Sequence, residues 1–269
     1  RLDVANEVDH QFWREFRTTV REQKPDIYIL GEVWHDSMPW LLGDQFDAVM
    51  NYPFTTNVLN LLASQTISAE QFMNDMTTVI QSYPKNIMDV TFNLVGSHDT
   101  PRILTECQED VDRVKLIYTM LYTFMGSPCM YYGDEIGMTG GKDPGCRKCM
   151  ELNPEKQDTD LLNHVKKLMS LRQSEKLLAN EGSFQFLNQL KTEVVAYRKY
   201  QDDQNILIII NPTDADQTFT IPHLMKGTSV KNLWTGEEFV STDVPTEVQL
   251  KPLEFTILAY QLKTEAISN

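Results

Sequence analysis

Three apolar runs in this chain each lead to a carboxylate. The runs and their acids are Leu2 before Asp3, residues 27–30 before Glu32, and residues 91–95 before Asp99. Short apolar runs bounded by polar residues indicate buried strands. The carboxyl ends of parallel strands meet at one edge of a sheet, which is where barrel active sites are built. Arg1 precedes Asp3 by two residues, so strand alternation points both side chains to the same side, where they can form a charge-assisted hydrogen bond.

The spacing of these runs indicates strands that alternate with helices. Asp3 and Glu32 are about thirty residues apart, the length of one strand-helix repeat, and Asp99 follows after close to two more repeats. Apolar residues at helical spacing predict helices at 8–24, 54–62, 69–82, 111–125 and 160–176. Further strands are predicted at 46–51 and 128–133, and a Gly-rich loop at 137–154. Residues 1–180 therefore read as five strand-helix units of a parallel barrel.

The pattern changes to period two after about residue 181. Predicted strands lie at 194–197, 206–210, 219–221, 230–233, 248–250 and 255–260, with Gly and Pro between them. No acidic cluster follows these strands. We therefore predict an antiparallel β-sandwich at 181–269, assign it no chemistry, and expect it to fold by itself.

Charge and cysteine content narrow the class of function. A net charge of −14 and an isoelectric point near 4.8 would repel nucleic acid and anionic membranes, which favours a neutral substrate. Four cysteines are too few for a disulfide scaffold and favour reduced thiols, hence a cytoplasmic location, with secretion left open. The Cys146-x-x-Cys149 pair lacks a second pair at zinc-site spacing, so we predict a structural role for it.

Three segments resemble, in order and spacing, the second, third and fourth conserved regions of the alpha-amylase family of glycoside hydrolases, family 13: RLDVANEVDH, ILGEVWHD and LVGSHDTPR. Among the branches of this family, the sequence is most similar to the neopullulanase, cyclomaltodextrinase and maltogenic amylase branch. The similar segments are DVANEVDHQFW, HDTPR and SPCMYYGDEIGMTGGKDPGCRKCM. The resemblance covers essentially the whole chain. It implies fold class α/β: strands 4–8 of a TIM (β/α)8 barrel, followed by an all-β sandwich domain.

Retaining cleavage of a glycosidic bond needs an attacking carboxylate and a proton-donating carboxylic acid about 5 Å apart. Asp3 and Glu32 fit this need, because neighbouring strands are about 4.8 Å apart. The resemblance implies that Asp3 is the nucleophile, Glu32 the acid and Asp99 a third catalytic carboxylate. The implied enzyme is a retaining α-glucan hydrolase that cleaves α-1,4 bonds in maltodextrin, cyclodextrin, pullulan or starch, with α-1,6 cleavage left open.

The other predicted site residues are substrate contacts. His98, beside Asp99, is expected to bind sugar hydroxyls and to favour the distorted ring of the transition state. The full set of expected substrate contacts is Arg1, Glu7, Trp34, His35, His98 and Arg102. Asp134 and Glu135 are instead expected to bind backbone and a neighbouring arginine. Asn163-His164 echoes the family's first region but lies out of order on a predicted helix, so we interpret it as coincidence.

Three alternatives bear on these residues. A divalent metal could bind to the acids and His98. The Arg1 guanidinium already supplies positive charge there, so we predict no metal and no cofactor. In some members of the family a calcium-binding insert lies in units absent from this chain. A glucanotransferase would use the same site, with a sugar hydroxyl in place of water. A non-catalytic amylase-like subunit is the third alternative, and relatives of that kind tend to lose the acids that are present here.

The chain begins inside its first motif and without Met, so we expect it to be cut from a longer protein. Five strands of a closed barrel leave two open edges and uncovered apolar faces. We therefore expect the chain alone to be inactive, and to form a homodimer or to associate with the missing N-terminal part.

Overall fold

The computed structural model describes residues 1–190, 192–242 and 245–262. Within these ranges no helix is both long and apolar enough to cross a membrane. The α-helices are α1 (His10–Gln23), α2 (Tyr52–Leu62), α3 (Ala69–Ser82), α4 (Lys85–Met88), α5 (Ile103–Glu106), α6 (Val111–Thr123) and α7 (Thr159–Ser174). The strands are β1 (Leu30–Gly31), β2 (Ala48–Val49), β3 (Phe92–Leu94), β4 (Ser127–Cys129), β5 (Ser183–Phe186), β6 (Val195–Gln201), β7 (Gln204–Ile210), β8 (Gln217–Ile221), β9 (Ser229–Asn232), β10 (Glu238–Val240), β11 (Thr246–Leu250) and β12 (Phe255–Gln261).

The strands before residue 130 are parallel and follow one another in chain order. Leu2 bridges to Gly31, β1 pairs with β2, Met50 bridges to Phe92, and β3 pairs with β4. The five predicted strand positions are therefore confirmed as neighbours. Each regular segment is only two or three residues long, shorter than the predicted strands at 46–51 and 128–133. Their carboxyl ends, with Asp3, Glu32 and Asp99, lie at one edge.

Buried amide side chains supplement these short strands. Asn51 Nδ2 donates to Asn93 Oδ1 at 2.8 Å, and Asn93 Nδ2 donates to the Met125 carbonyl at 2.6 Å. Asn51 Oδ1 also accepts from the Phe54 N–H at 3.2 Å and caps α2. Gly126 follows with φ near +100°, and a Cβ there would lie 2.8 Å from Asn93 Nδ2, so glycine is needed beside the bridge.

Helix α1 fixes the segment that follows Asp3. The carboxylate of Asp9 accepts from the Gln11 N–H at 2.8 Å, which caps the helix at its start. Trp13 is buried and donates its Nε1–H to the Ala5 carbonyl at 2.8 Å. This bond ties the chain just after Asp3 to the helix.

The C-terminal part is antiparallel and all β, as predicted. One sheet has the strand order β10-β9-β12-β7-β6-β5, and β8 pairs with β11 in a second, two-stranded sheet. Strands β5 and β10 were not predicted. Every residue of β10 is exposed, so its sequence gives no apolar signal. In β5, Phe184 and Phe186 alternate with polar residues and pack against the core, so a period-two signal was present there.

Strands β6, β7 and β12 are buried on both faces. One face, with Tyr197, Ile208 and Ile257, belongs to the hydrophobic core that also holds the buried side chains of α2, α3, α6 and α7. The opposite face packs in a separate core with β8 and β11. Covering on both sides explains why the run 206–210 is continuously apolar. An isolated sandwich would expose the first face, so the structure argues against our expectation that it folds by itself.

Two cations, the half-buried Arg172 and the buried Lys199, lie where the two parts meet. Arg172 of α7 donates to the carbonyls of Tyr122 and Phe124 at 2.8 and 3.1 Å. Lys199 of β6 is 2% exposed and donates Nζ–H to the Leu178 carbonyl at 2.9 Å. Burial, with the nearby Arg172 charge, lowers the pKa of Lys199 to about 7. The junction thus holds a lysine that lacks a carboxylate partner in the described chain.

Candidate active site

The three predicted catalytic acids converge on Arg1. Arg1 Nη1 lies 2.6 Å from Asp3 Oδ1, and Nη2 lies 2.7 Å from Glu32 Oε1 and 3.9 Å from Asp99 Oδ2. The acids come from three parallel segments: the Leu2 bridge, β1 and the loop after β3. One guanidinium therefore compensates carboxylates that would otherwise repel one another.

The three acids differ in exposure. The Asp3 side chain is 70% exposed, Asp99 is 32% exposed, and Glu32 is 6% exposed. Glu32 Oε2 accepts the Val4 N–H at 3.1 Å, and Oε1 lies 3.4 Å from Trp34 Nε1. The geometry gives one accessible carboxylate beside one that is enclosed, which suits an attacking group beside a proton donor.

Val4 adopts a left-handed backbone, with φ near +40°. A β-branched residue pays about 1–3 kcal/mol for this conformation. The turn aims the Val4 N–H at Glu32 and directs the chain towards the Ala5 carbonyl that Trp13 holds. The strained residue Val4 therefore directly follows Asp3 and donates its N–H to Glu32.

His98 and Asp99 form the opposite side of the site. His98 Nε2 lies 3.2 Å from Asp99 Oδ2. Arg147, from the long loop before α7, donates Nε–H to the His98 carbonyl at 3.0 Å and lies 3.2 Å from Asp99 Oδ1 through Nη2. Arg147 also pairs with Asp143 at 2.7 Å. Sequence reasoning missed Arg147, because its distance from Asp99 along the chain gives no local pattern.

Tyr52 was also missed. It begins α2 directly after β2, so it occupies the carboxyl end of the strand between those of Glu32 and Asp99. Its ring stacks on Trp34 with centroids 3.6 Å apart and an interplanar angle of 13°. Burial and the charges of Glu32 and Asp99 raise the pKa of Tyr52, so its hydroxyl stays protonated at neutral pH. Its position at the end of the predicted strand 46–51 was the available signal.

Two predicted substrate contacts lie outside this cluster. Glu7 is exposed and accepts from Asn6 Nδ2 at 3.0 Å. His35 is exposed and its Nδ1 lies 3.0 Å from the Asp36 carbonyl. Within the described ranges, neither side chain forms a hydrogen bond or ion pair with Arg1 or with the acids around it. Their roles in substrate binding stay predictions.

Arg102 requires a correction. Its side chain is completely buried, and Nη1 donates to Asp134 Oδ1 at 2.7 Å. A side chain closed off in this way cannot contact a sugar, so the predicted substrate contact at Arg102 is not supported. The other expectation, that Asp134 binds a neighbouring arginine, is confirmed. Arg102 is three positions after the catalytic candidate Asp99, which is why the motif suggested a pocket position.

The interpretation of His164 as coincidence is confirmed. It lies on α7, is buried, and its Nε2 is within 3.2 Å of Thr119 Oγ1 and 3.1 Å of the Lys115 carbonyl. Burial lowers the pKa of His164 to about 4. A neutral core imidazole on α7 has no part in the site at the strand ends.

No group of three or more His, Cys, Asp and Glu side chains among the described residues is arranged to hold a metal ion. At the strand ends Arg1 occupies the space among Asp3, Glu32 and Asp99. The carboxyl groups of Asp3 and Glu32 are side chains of the kind that perform nucleophilic attack and proton transfer.

Comparison with known proteins agrees with this geometry. Residues 3–152 match the model of the alpha amylase catalytic domain, and residues 184–257 match the maltogenic amylase C-terminal domain. A maltogenic alpha-amylase of Bacillus acidopullulyticus is 53% identical over 262 residues, which are 97% of this chain and 44% of that protein. An intracellular maltogenic amylase of Bacillus subtilis is 40% identical over 96% of this chain and 44% of its own length.

A solved cyclomaltodextrinase structure superposes with a TM-score of 0.91 at 41% identity, covering 97% of this chain and 45% of that one. The chain thus spans less than half the length of these relatives. The catalytic-domain match covers more than half of the chain. Together with the strand-end acids, it shows that the chain belongs to the alpha-amylase family of glycoside hydrolases.

Proposed function

We propose that this chain is the C-terminal part of a retaining α-glucan hydrolase of the maltogenic amylase, cyclomaltodextrinase and neopullulanase type. In this proposal residues 1–180 supply strands 4–8 of the (β/α)8 barrel and residues 181–269 form the sandwich domain. The observation that carries the proposal is the convergence of Asp3, Glu32 and Asp99 on Arg1 at the carboxyl ends of parallel strands.

In the proposed reaction Asp3 attacks the anomeric carbon and forms a covalent glycosyl-enzyme, while Glu32 gives its proton to the departing glycosidic oxygen. Glu32 then removes a proton from water, which displaces Asp3 and restores both carboxyl groups. The exposure of Asp3 permits the attack, and the Trp34 and Val4 contacts orient Glu32. Asp99 and His98 bind hydroxyls of the distorted sugar ring.

A neutral glucan fits the surroundings of these residues. The Trp34 ring is 51% exposed and is stacked on Tyr52, so it presents an apolar face to a sugar ring beside Glu32. The net charge of −14 does not oppose an uncharged substrate. We propose α-1,4 bonds of maltodextrin, cyclodextrin, pullulan or starch as substrates, with α-1,6 cleavage as a further activity of the same site.

A glucanotransferase is the second candidate, because Asp3 and Glu32 would form the same glycosyl-enzyme and a sugar hydroxyl would then release it. Incubation of the full-length protein with maltotriose and with β-cyclodextrin separates the candidates. Hydrolysis gives glucose and maltose with an initial α anomer, visible by proton NMR, whereas transfer gives products longer than the substrate. Absence of turnover on every α-glucan would contradict both and favour a non-catalytic subunit.

We further propose that the protein is cytoplasmic and that this chain binds no cofactor. We also propose that the chain forms a homodimer or associates with the N-terminal part of the longer protein. The four cysteines are free thiols, and one relative is named an intracellular enzyme. Among the described residues the parallel strands pair only with one another, so the outer edges at Leu2 and β4 are open to another element. Light scattering after size-exclusion chromatography on the 269-residue chain tests this: an active monomer would contradict both the association and the inactivity of the isolated chain.

A further inference from the structure

A buried ion pair lies beneath the loop that carries His98 and Asp99. Arg102, which ends this loop, donates through Nη1 to Asp134 Oδ1 and to the Tyr132 carbonyl, both at 2.7 Å. The side chains of Arg102 and Asp134 are 0% and 1% exposed. The rings of Tyr131 and Tyr132 lie 4.7 and 4.8 Å from the guanidinium carbon. Removal of either charge would leave the other uncompensated in a site without water access.

Asp134 lies near the beginning of the same loop. A Cβ added to Gly96 would lie 3.1 Å from Asp134 Oδ2, so there is little free space between the carboxylate and the backbone where the chain leaves β3, although no hydrogen bond joins them in the described chain. Gly96 precedes His98 by two residues, and Arg102 follows Asp99 by three. One carboxylate therefore bonds the residue that ends the loop, Arg102, and limits the space at the start of the loop beside Gly96.

The loop between these points has short-range bonds of its own. Thr100 Oγ1 accepts from the Ser97 N–H at 2.9 Å, and Ser97 Oγ accepts from the Asp99 N–H at 3.1 Å. These bonds shape the turn but do not fix its position relative to the other strands. The Arg102 N–H bonds the Gly140 carbonyl at 2.9 Å, so the anchoring of the turn depends on the segment between β4 and α7, the segment that also carries Asp134.

We propose that Arg102 and Asp134 are positioning residues for Asp99 and His98 in glycoside cleavage. The inference rests on the proposed function and extends it to two buried residues that never touch the substrate. Hydroxyl contacts that strengthen in the transition state require placement within about 0.5 Å. The buried pair fixes the position of the loop that carries His98 and Asp99, because it joins the loop after β3 to the loop after β4.

The kinetic test uses Asp134→Asn in the full-length protein. The amide oxygen can still accept from Arg102, but the charge that anchors the guanidinium is lost. We expect kcat on maltotriose to fall about tenfold to a hundredfold with KM changed less than about threefold, since transition-state contacts are lost more than ground-state ones. Asp44→Asn is the matched control, because Asp44 pairs with Arg14 at 2.6 Å on the surface; both constants should stay within about twofold of wild type.

A double-mutant cycle separates positioning from general support of the fold. If Asp134 acts through Asp99, Asp134→Asn should lower kcat far less when Asp99 is already replaced by Asn. Conservative Arg102→Lys should retain part of kcat, because the ammonium keeps one bond to Asp134. A kcat loss that is fully additive with Asp99→Asn, or an unchanged kcat in correctly folded Asp134→Asn, would overturn the inference.

A second variant and a second readout cover a folding failure. Gly96→Ala keeps both charges and pushes a methyl group against Asp134 Oδ2, so it should lower kcat in the same manner, to a smaller extent. Hydrogen exchange on the full-length protein should show the amides of residues 96–100 and 102 exchanging about tenfold faster in either variant, with the amides of β7 unchanged. Unchanged exchange at 96–102 would overturn the positioning role, whereas wild-type inactivity with faster exchange would contradict only the proposed function.

Discussion

The two parts of the chain keep their strands in place by different means. In the C-terminal sheet β6, β7 and β12 pair over seven residues each, so backbone ladders set the register. Before residue 130 the strands pair over two or three residues, and side chains complete the connections: Asn51 to Asn93, Asn93 to Met125, Arg102 to Asp134. The part that depends on side chains is also the part that bears the acids.

This difference indicates where single substitutions should be severe. A long ladder distributes its hydrogen bonds over many residues, so one side chain contributes little to its register. A short parallel segment leaves buried polar groups that each need a particular partner, and loss of one partner leaves the other unsatisfied. We therefore expect the effects of substitutions to decrease from the strand-end site, through the amide bridge, to the ladder.

The largest effect is expected at the nucleophile. In the full-length protein Asp3→Asn should lower kcat by about four orders of magnitude or more, since the covalent step is lost while the shape of the side chain is kept. Glu32→Gln should be equally damaging for maltotriose but milder for a nitrophenyl glucoside, whose leaving group needs little protonation. Steady-state kinetics on both substrates check this.

More than about a tenth of wild-type activity in Asp3→Asn would mean that another residue attacks. Equal losses for Glu32→Gln on both substrates would contradict its role as the acid. Substrate binding, measured by calorimetry, should survive both changes.

The second-largest effect is expected at the amide bridge, the hydrogen bonds that join Asn51, Asn93 and the Met125 carbonyl. Asn93→Ala removes the acceptor for Asn51 and the donor for the Met125 carbonyl, so we expect the free energy of unfolding to fall by about 2–4 kcal/mol. Urea unfolding of the 269-residue chain measures this. Asn57→Ala is the control, because Asn57 makes a local bond to Pro53 at 2.9 Å, and it should cost less than about 1 kcal/mol. Equal costs would remove the distinction between bridge and local bond.

A third effect depends on pH. The folded-state pKa of Lys199 is lowered to about 7 from 10.5, so between these values the unfolded chain binds more protons and the stability rises with pH. Lys199→Met should reduce this rise by at most about 1.4 kcal/mol per pH unit. Urea unfolding at pH 7, 8, 9 and 10 checks the slope, and exposed Lys231→Met should leave it unchanged. An unaltered slope in Lys199→Met would show that Lys199 stays charged in the fold.

The smallest effect is expected in the ladder. Thr256 Oγ1 accepts from Asn232 Nδ2 at 3.1 Å within β12, whose backbone also pairs with β7 along its whole length. Thr256→Val keeps the shape and loses only the hydroxyl, so unfolding free energy should fall by about 1 kcal/mol or less. A loss as large as that of Asn93→Ala would erase the contrast between the two parts.

Elements with local signals could be predicted from the sequence. Helix α3 occupies the predicted residues 69–82, because Ser68 caps its start and its apolar residues keep helical spacing. The acids at the ends of apolar runs likewise identified the strand-end cluster. Strand lengths were overestimated, since a run can remain buried and apolar after its ladder has ended, as at 46–51.

Contacts between distant segments had no such signal. Arg102 looked like a pocket residue because it belongs to the same motif as Asp99, three positions later, and only the fold shows that its side chain is buried against Asp134. Arg147 reaches Asp99 from another loop, and neither charge pattern nor periodicity relates the two positions. Pairings of this kind depend on how loops of different repeats meet, which a single sequence does not encode in any local pattern.

The sheet with one core on each face has a consequence for recombining such enzymes. A crossover near residue 181 looks natural, because the two family matches end at 152 and resume at 184. A chimera joined there would take the Tyr197, Ile208 and Ile257 face from one parent and the α6 and α7 side chains that fill it from the other. Parents that differ in these volumes would give hybrids with voids or overlaps at the seam, so α6 and α7 should be inherited together with β6, β7 and β12.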